Sequence, residues 1–492
     1  MIIDTGKQTN ISNQMPKVAF TTEKGQETGV ASQAPSLILW LFYVYIISSP
    51  FFGFSFANIA GRGLARVDWL VAGTILGVFF LGFIANRWPL RRSPMNGYVV
   101  LFVYTGLLSI INLFNSNTSS AQFVNFGTKA AQLLLAVAFF FVISSIPLGE
   151  KELKSSLRLW IFVALVISLY AIYQVFARVY GWPLASIELT NPSVATGGGE
   201  ARVIDGFAQV SSFFREPSYL GAYLLGPIVI SGVFLLKGSG HLLLSKSLLI
   251  NWMILAILFL ALLLTSSQGA YLSLLATVGS LYATDQIDRI GTTKLVMAFL
   301  LFLILCGVLL ALFDIGFFGA IALRFKYLIL NMMHPLETVE ISSYRVRSEC
   351  TRAALGVGMS HPFLGVGLNN MSFHTDICEY SLGWSQLVAD QGLLGTAALI
   401  LVFWSLLQGL VKLSKETRLT SFWSVISLAL IFVLVSDIVN GIFTYNWVDL
   451  QRWFNLALAN LVFIQAKSRL SVVEEKDISR IDISLPGGPR QA

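Results

Sequence analysis

The sequence predicts an all-α polytopic membrane protein, and three observations carry that reading. Hydrophobic residues make up 55% of the 492 and charged residues 12%, with 33 Lys+Arg and 26 Asp+Glu; soluble domains carry roughly 25% charge. Too few charges remain to cover the separate domains into which a soluble chain of this length divides. The apolar residues fall in continuous runs of the ~20 residues that a membrane helix needs, without the alternation of barrel strands. An ordinary soluble enzyme, a disordered chain and a disulfide-rich secreted module are thereby excluded.

Each segment follows from its composition. Residues 1–35 mix Lys7, Lys17 and Lys24 with Asp4, Glu23 and Glu27 and lack the basic-then-apolar order of a cleaved signal peptide; they read as a disordered cytoplasmic tail. A first group of transmembrane helices fills 36–179, with apolar runs near 36–59, 68–86, 95–114, 123–146 and 155–179. A long loop, 180–216, precedes a central group over 217–313, with runs near 217–236, 247–265, 268–283 and 294–313. A large loop, 314–384, leads to runs near 385–409, 420–439 and 450–466 and a tail, 467–492. The expectation is about 12 spans, with no internal repeat to support an inverted-repeat transporter.

The net charge of +7 reflects topology, because the basic residues sit in short clusters between apolar runs rather than on an aromatic-interleaved face for nucleic acid. Arg87/Arg91/Arg92, Lys151/Lys154/Arg158, Lys237/Lys246, Arg289/Lys294, Lys412/Lys415/Arg418 and Lys467/Arg469 fall on one side if the spans alternate. The opposite turns 115–122 and 440–449 carry no Lys or Arg, and only Arg62 and Arg66 dissent mildly. The positive-inside rule puts both termini in the cytoplasm and both long loops outside. In the second loop, Ile321–Met333 reads as a helix lying on the membrane surface.

The first loop ends in Phe214-Arg215-Glu216-Pro217-Ser218-Tyr219. Pro217 suits the first turn of a helix, so Arg215 and Glu216 belong at the outer membrane boundary, either as a ligand-binding pair or as boundary charges against headgroups. In the second loop, Ser343-Tyr344-Arg345-Val346-Arg347-Ser348-Glu349-Cys350-Thr351-Arg352 reads as a helix. Glu349 lies between Arg345 and Arg352 at helical spacing, an ion-pair ladder worth a few tenths of a kcal/mol per pair. Arg347 falls on the other face without a local carboxylate and suits an anionic ligand or a lipid headgroup. The glycines of Pro362-Phe-Leu-Gly365-Val-Gly367 permit close backbone approach, but no P-loop context surrounds them.

His334, His361 and His374 share this loop at spacings that fit no compact metal motif, so no metal is expected; His374 is a candidate base. Cys350 and Cys378 lie in the same outer, oxidising loop and can form a bridge. The aromatics Trp384, Tyr445, Trp447 and Trp453 suit an interfacial belt.

Phe214-Arg215-Glu216-Pro217-Ser218, then Ser267-Gln268-Gly269, Arg347, Pro362-Phe-Leu-Gly365-Val-Gly367 and Asp390-Gln-Gly392-Leu-Leu-Gly395 stand in this order over about 205–400. The set resembles the O-antigen polymerase and O-antigen ligase superfamily of bacterial membrane glycosyltransferases. Gln268 replaces the Arg of the family's polar break, and the ligase-type His-Asn is absent from Ser381-Leu382, which favours polymerase over ligase. The resemblance implies a C-type-fold transferase, metal-independent and without a cofactor. It would act at the periplasmic face of the bacterial inner membrane on polyprenyl-diphosphate-linked oligosaccharide, beside a flippase and a chain-length regulator. It also implies Glu216 or His374 as catalytic base and Arg215 and Arg347 on the diphosphate, with Tyr344, Gln268, Gly365 and Gly367 in support. Ligase, transporter and flippase are the alternatives.

Overall fold

A computed structural model describes residues 36–56, 58–59, 62–63, 66–114, 118–187, 189, 203–204, 207–283, 342–375, 383–416, 418–444 and 447–483. The expected span near 294–313, the surface helix Ile321–Met333, His334, Cys378 and Tyr445 lie outside these, as do the side chains of Tyr344, Arg345 and Arg347.

Helices account for nearly all of the described regular structure. They are α1 (Ser36–Ser48), α2 (Val67–Ile84), α3 (Asn96–Leu108), α4 (Ser120–Ser145), α5 (Glu150–Tyr180) and α6 (Pro217–Leu236). After these come α7 (Leu248–Leu264), α8 (Gln268–Ala283), α9 (Ser342–Ser360), α10 (Gly383–Ser414), α11 (Ser421–Phe443) and α12 (Leu450–Ile483). Two antiparallel pairings of two-residue strands, Asn58–Ile59 with Arg62–Gly63 and Val203–Ile204 with Phe207–Ala208, close turns in the connections. Among the described residues seven helices are long and apolar enough to cross a membrane, and α1 with its 3₁₀ extension and α7 are shorter apolar helices. Eleven of the expected runs carry a helix, nine of them near the expected bounds; the last, expected over 450–466, continues as α12 to Ile483 through the expected tail. The first is shorter than its apolar run: α1 stops at Ser48, Pro50 enters a 3₁₀ turn, and Asn58–Ile59 is strand.

Local chemistry sets the ends. Ser119 and Gln122 form a capping box at α4, the Gln122 side chain accepting from Ser119 N at 2.7 Å. Pro217 occupies the first turn of α6 behind an extended Glu216, a position where the missing N–H has no helical partner to lose. Gly181 closes α5 with φ 68°.

α6 and α11 form the centre, with 78% of each apolar window buried against 28% for α2. Buried rings knit the bundle: Tyr45 of α1 lies 4.5 Å from Phe139 of α4, and Phe454 of α12 lies 5.5 Å from Tyr45 and 5.3 Å from Trp160 of α5. In a lipid solvent such contacts hold helices by dispersion and fit, because burial from lipid carries no hydrophobic gain.

The basic clusters meet in space at one end. Arg91 N donates to Ser145 Oγ, Arg158 Nε donates to the Leu243 carbonyl, Thr420 Oγ1 contacts Glu150 at 3.3 Å, and the Arg469 guanidinium stacks over Trp423. The opposite end gathers the start of α2, α6 and α12 and the close of α1 and α11, and there the polar side chains converge.

Candidate functional site: a polar chamber at the helix ends

At that opposite end a small cavity of about 40 Å³ opens between five helix termini. The α1 terminus gives it Tyr45, Ser49 and Phe52, α2 gives Asp68, and α6 with the residues before it gives Phe214, Tyr219, Ala222 and Tyr223. α11 adds Asp437, Asn440 and Thr444, and α12 with the residue before it adds Asp449, Gln451, Arg452 and Asn455. One wall is aromatic: Phe52 lies 5.6 Å from Phe214 and 5.3 Å from Tyr219. The facing wall is ionic and amidic, and an apolar face opposite hydrogen-bonding groups is how pockets hold hydroxylated ligands.

The ions differ in how far they are satisfied. Arg66 donates twice to Asp68, at 3.0 and 2.6 Å, and its guanidinium stacks over Phe52 and Trp69, a bidentate pair. Asp437 is 8% exposed and lies roughly two turns, about 9 Å, inside the end of α11. Its Oδ2 accepts from Asn455 Nδ2 at 2.9 Å, which fixes the carboxylate toward the cavity it lines. Arg452 donates through Nη2 to Thr444 Oγ1 at 2.6 Å and stacks 4.6 Å from the Trp447 ring. Burial pushes the Asp449 carboxyl above its ordinary range, against the pull of Arg66, since a low dielectric penalises the charged form.

Arg215 and Glu216 stand in sequence between Phe214 and Tyr219 of the aromatic wall, and neither is among the residues that line the cavity. Arg215 Nε is 3.8 Å from Glu216 Oε1, the side chains are 22% and 28% exposed, and Ser218 Oγ donates to Glu216 Oε2 at 3.3 Å. The polar break Thr265-Ser266-Ser267-Gln268-Gly269 flanks the same region. Gln268 starts α8, and a Cβ on Gly269 would stand 2.9 Å from Phe443 Cβ, so α8 approaches the end of α11 closely.

The glycine run lies elsewhere and clasps a broken helix. α10 is interrupted at Gly392 (φ 67°, ψ −168°), which releases backbone groups on both sides. Val366 N and Gly367 N donate to the carbonyls of Ala389 and Asp390 at 2.8 and 3.1 Å; Leu393 N and Leu394 N donate to those of Pro362 and Phe363 at 2.7 and 3.3 Å. Every buried backbone group needs such a partner at membrane depth. Gly365 has φ 66°, and a Cβ there would stand 2.4 Å from the Ala389 carbonyl oxygen. Gly365 and Gly367 are therefore occupied with backbone contact, and the N–H groups of Leu393 and Leu394 at the start of the second half-helix are bonded to carbonyls.

His361 and His374 meet over this clasp with ring centroids 5.9 Å apart, although 13 residues separate them in sequence. His361 Nδ1 is 3.0 Å from Ser360 Oγ. Burial, with the neighbouring His361, lowers the His374 pKa; neither histidine is among the residues lining the chamber. Arg347 lies on α9, the helix expected from its charge spacing. Cys350 is buried and disulfide-bonded. Among the described residues no three His, Cys, Asp or Glu side chains form a metal-holding group.

Sequence reasoning missed the chamber's own charges. Arg66 read as a topological dissenter, Asp437 and Arg452 were absorbed into apolar spans, and Trp447 and Trp453 read as an interfacial belt. Both indoles are in fact buried: Trp453 Nε1 donates to the Trp447 carbonyl, and Trp447 Nε1 to that of Gly383. The signal that could have found them is the one that marks intramembrane function generally, an ionisable residue inside a span.

The fold and chamber define a polytopic helical membrane protein with a buried ionic and aromatic site at one end. No protein-family model matches the chain, and no curated protein matches it.

Proposed function

We propose that the protein is a membrane glycosyltransferase that polymerises polyprenyl-diphosphate-linked oligosaccharide repeat units at the periplasmic face, with the chamber as its reaction site. The observation that carries the reading is the chamber's make-up. An oriented carboxylate, a buried guanidinium and an aromatic wall stand together at the end of a bundle, within reach of a substrate whose lipid lies in the bilayer. The twelve-span topology with both termini cytoplasmic belongs to the same proposal, because the basic end then faces the cytoplasm and the chamber faces out.

In this mechanism an acceptor sugar hydroxyl attacks the anomeric carbon of the donor glycan. The new C–O bond forms as the anomeric C–O bond to diphosphate breaks, its electron pair leaving on the diphosphate. The hydroxyl proton passes to a carboxylate. Asp437, held by Asn455 at the cavity wall, is the base within the chamber, and Glu216 is the alternative outside its lining. Proton transfer to a positioned base contributes typically ~10²–10⁴-fold. Arg215 and Arg347 remain the donors to the diphosphate that the motif order implies.

A transporter is the second reading, favoured by one observation. Asn460 of α12 is fully buried with neither amide atom hydrogen-bonded, so polar groups continue inward past Asn455 and Asp437. Deleting the gene in its host and resolving surface glycan by length separates the readings. A single repeat unit on the usual anchor, with longer chains lost, supports polymerase. Long polymer stranded on its lipid carrier means ligase, and loss of every repeat from the surface means translocation.

A further inference from the structure

Arg452 is a buried cation whose fork is half used. The residue is 8% exposed and lines the chamber. Nη2 is bonded to Thr444, while Nη1 is buried with no hydrogen-bond partner. No carboxylate lies within the 4.0 Å of an ion pair from it among the described residues; Asp437 and Asp449 of the same lining act on it electrostatically from farther away. A guanidinium taken out of water in this way is strongly destabilising unless its donors are met, and fork donors match phosphate or carboxylate oxygens. Two neighbours in the lining are also incomplete: Gln451 has both Nε2 and Oε1 buried without partners, and Asn455 Oδ1 is likewise unmet. Arg66, by contrast, has its fork closed on Asp68.

We infer that Arg452 binds an oxyanion in the chamber through Nη1, with Gln451 beside it completing the contacts to a hydroxylated ligand. For the identity of that ligand the inference rests on the function proposed above: the oxyanion is a phosphate of the lipid-linked donor or the carboxylate of an acidic sugar. Asp437 does not close the site, because its carboxylate is held by Asn455 rather than by Arg452. This places an anion contact at the start of α12 in addition to the loop arginines.

The test is ligand binding to the full-length protein in nanodiscs, with farnesyl diphosphate and glucuronate as separate probes. Wild type binds at least one of them, and Arg452→Gln weakens that probe roughly ten- to hundredfold, the loss of a charge-assisted bond. Arg452→Lys, which keeps charge without the fork, recovers part of the affinity. Loss confined to farnesyl diphosphate identifies a phosphate ligand, and loss confined to glucuronate identifies a sugar carboxylate. Should Arg452→Gln not fold, the thermal shift given by each probe is compared between wild type and Arg452→Lys, where the shift should shrink.

Wild type that binds neither probe, or equal binding by the variants, overturns the inference. The outcome is separable from that of the proposed function. Arg452-dependent binding in a protein whose deletion leaves glycan length normal keeps the anion site and retires the polymerase. Arg452-independent binding with long chains lost on deletion does the reverse.

Discussion

The chamber between α1, α6, α11 and α12 and the clasp around Gly392 are both polar regions within a bundle of apolar helices, and they use hydrogen bonds in opposite ways. At the clasp, four backbone bonds close the gap in α10, two from the loop to the first half-helix and two from the second half-helix to the loop. The break is thereby bridged by the backbone of the loop, and the N–H groups of Leu393 and Leu394 are taken up by it. In the chamber, Arg452 Nη1, both amide atoms of Gln451 and Asn455 Oδ1 are buried without partners. Unmet groups of this kind cost about 1–3 kcal/mol each, a cost that a site recovers when it binds. The segment that looks most like a motif is thus architecture, and the unmet polar groups belong to residues with no motif around them.

That contrast is broken most directly at Gly365. Gly365→Ala needs a left-handed φ and sets a Cβ 2.4 Å from a backbone oxygen, so it should destabilise by about 3 kcal/mol. Thermal melts of detergent-solubilised protein would show this as a large fall in Tm. Gly356→Ala is the control, since no atom lies within 4 Å of its Cβ; in the middle of α9 it should be neutral or gain up to ~1 kcal/mol. Equal melting of the two variants would remove the clasp from the account.

Reducing agent should act on the same side of the comparison. Cys350 is disulfide-bonded and packs with Ala354, Met371 and Ala389, joining α9 to α10 under the clasp. Its reduction should cost about 2–4 kcal/mol, read as a lower Tm with dithiothreitol; an unchanged Tm would show that α9 docks without the bridge.

Asn455→Ala sharpens the chamber side. It removes the amide that orients Asp437 and should lower polymer yield by tenfold or more, equivalent to about 1.5 kcal/mol, while the melting curve moves little. Unaltered chain growth would mean that Asp437 needs no orientation.

The smallest effect is one of pH. Burial and the neighbouring His361 lower the His374 pKa, so the unfolded chain binds more protons than the folded one between the lowered value and the usual ~6.5. Stability is therefore present above pH 6.5 and declines as pH falls through that value toward the folded one. Hydrogen-exchange protection at 361–374, corrected for the pH dependence of the intrinsic rate, should fall modestly at pH 5, and His374→Gln should flatten the response; an unchanged pH response in the variant would assign the effect to another group.

The helices were legible because their signal is local. Apolar runs placed eleven of them, Pro217 fixed the start of α6, and the charge spacing at 345–352 gave α9. The break in α10 was not legible: a single Gly inside an apolar run looks the same whether the helix continues or stops, and only the docking of residues 362–367 decides it. The chamber was hidden for a related reason. Asp437 and Arg452 stand 15 residues apart and far from the Arg66–Asp68 pair in the sequence, and each alone resembles a stray polar residue or a topology signal. Arg215 and Glu216 were found as a boundary pair, but the sequence could not say that they stand outside the densest set of unmet groups.

The most direct measurement is complementation of the deletion strain with Asp437→Asn and with Glu216→Gln, at matched membrane protein levels, with surface glycan resolved by length. The account predicts that Asp437→Asn leaves single repeat units and that Glu216→Gln still makes long chains. A normal ladder from Asp437→Asn, with chains lost in Glu216→Gln, would contradict it and move the base to Glu216.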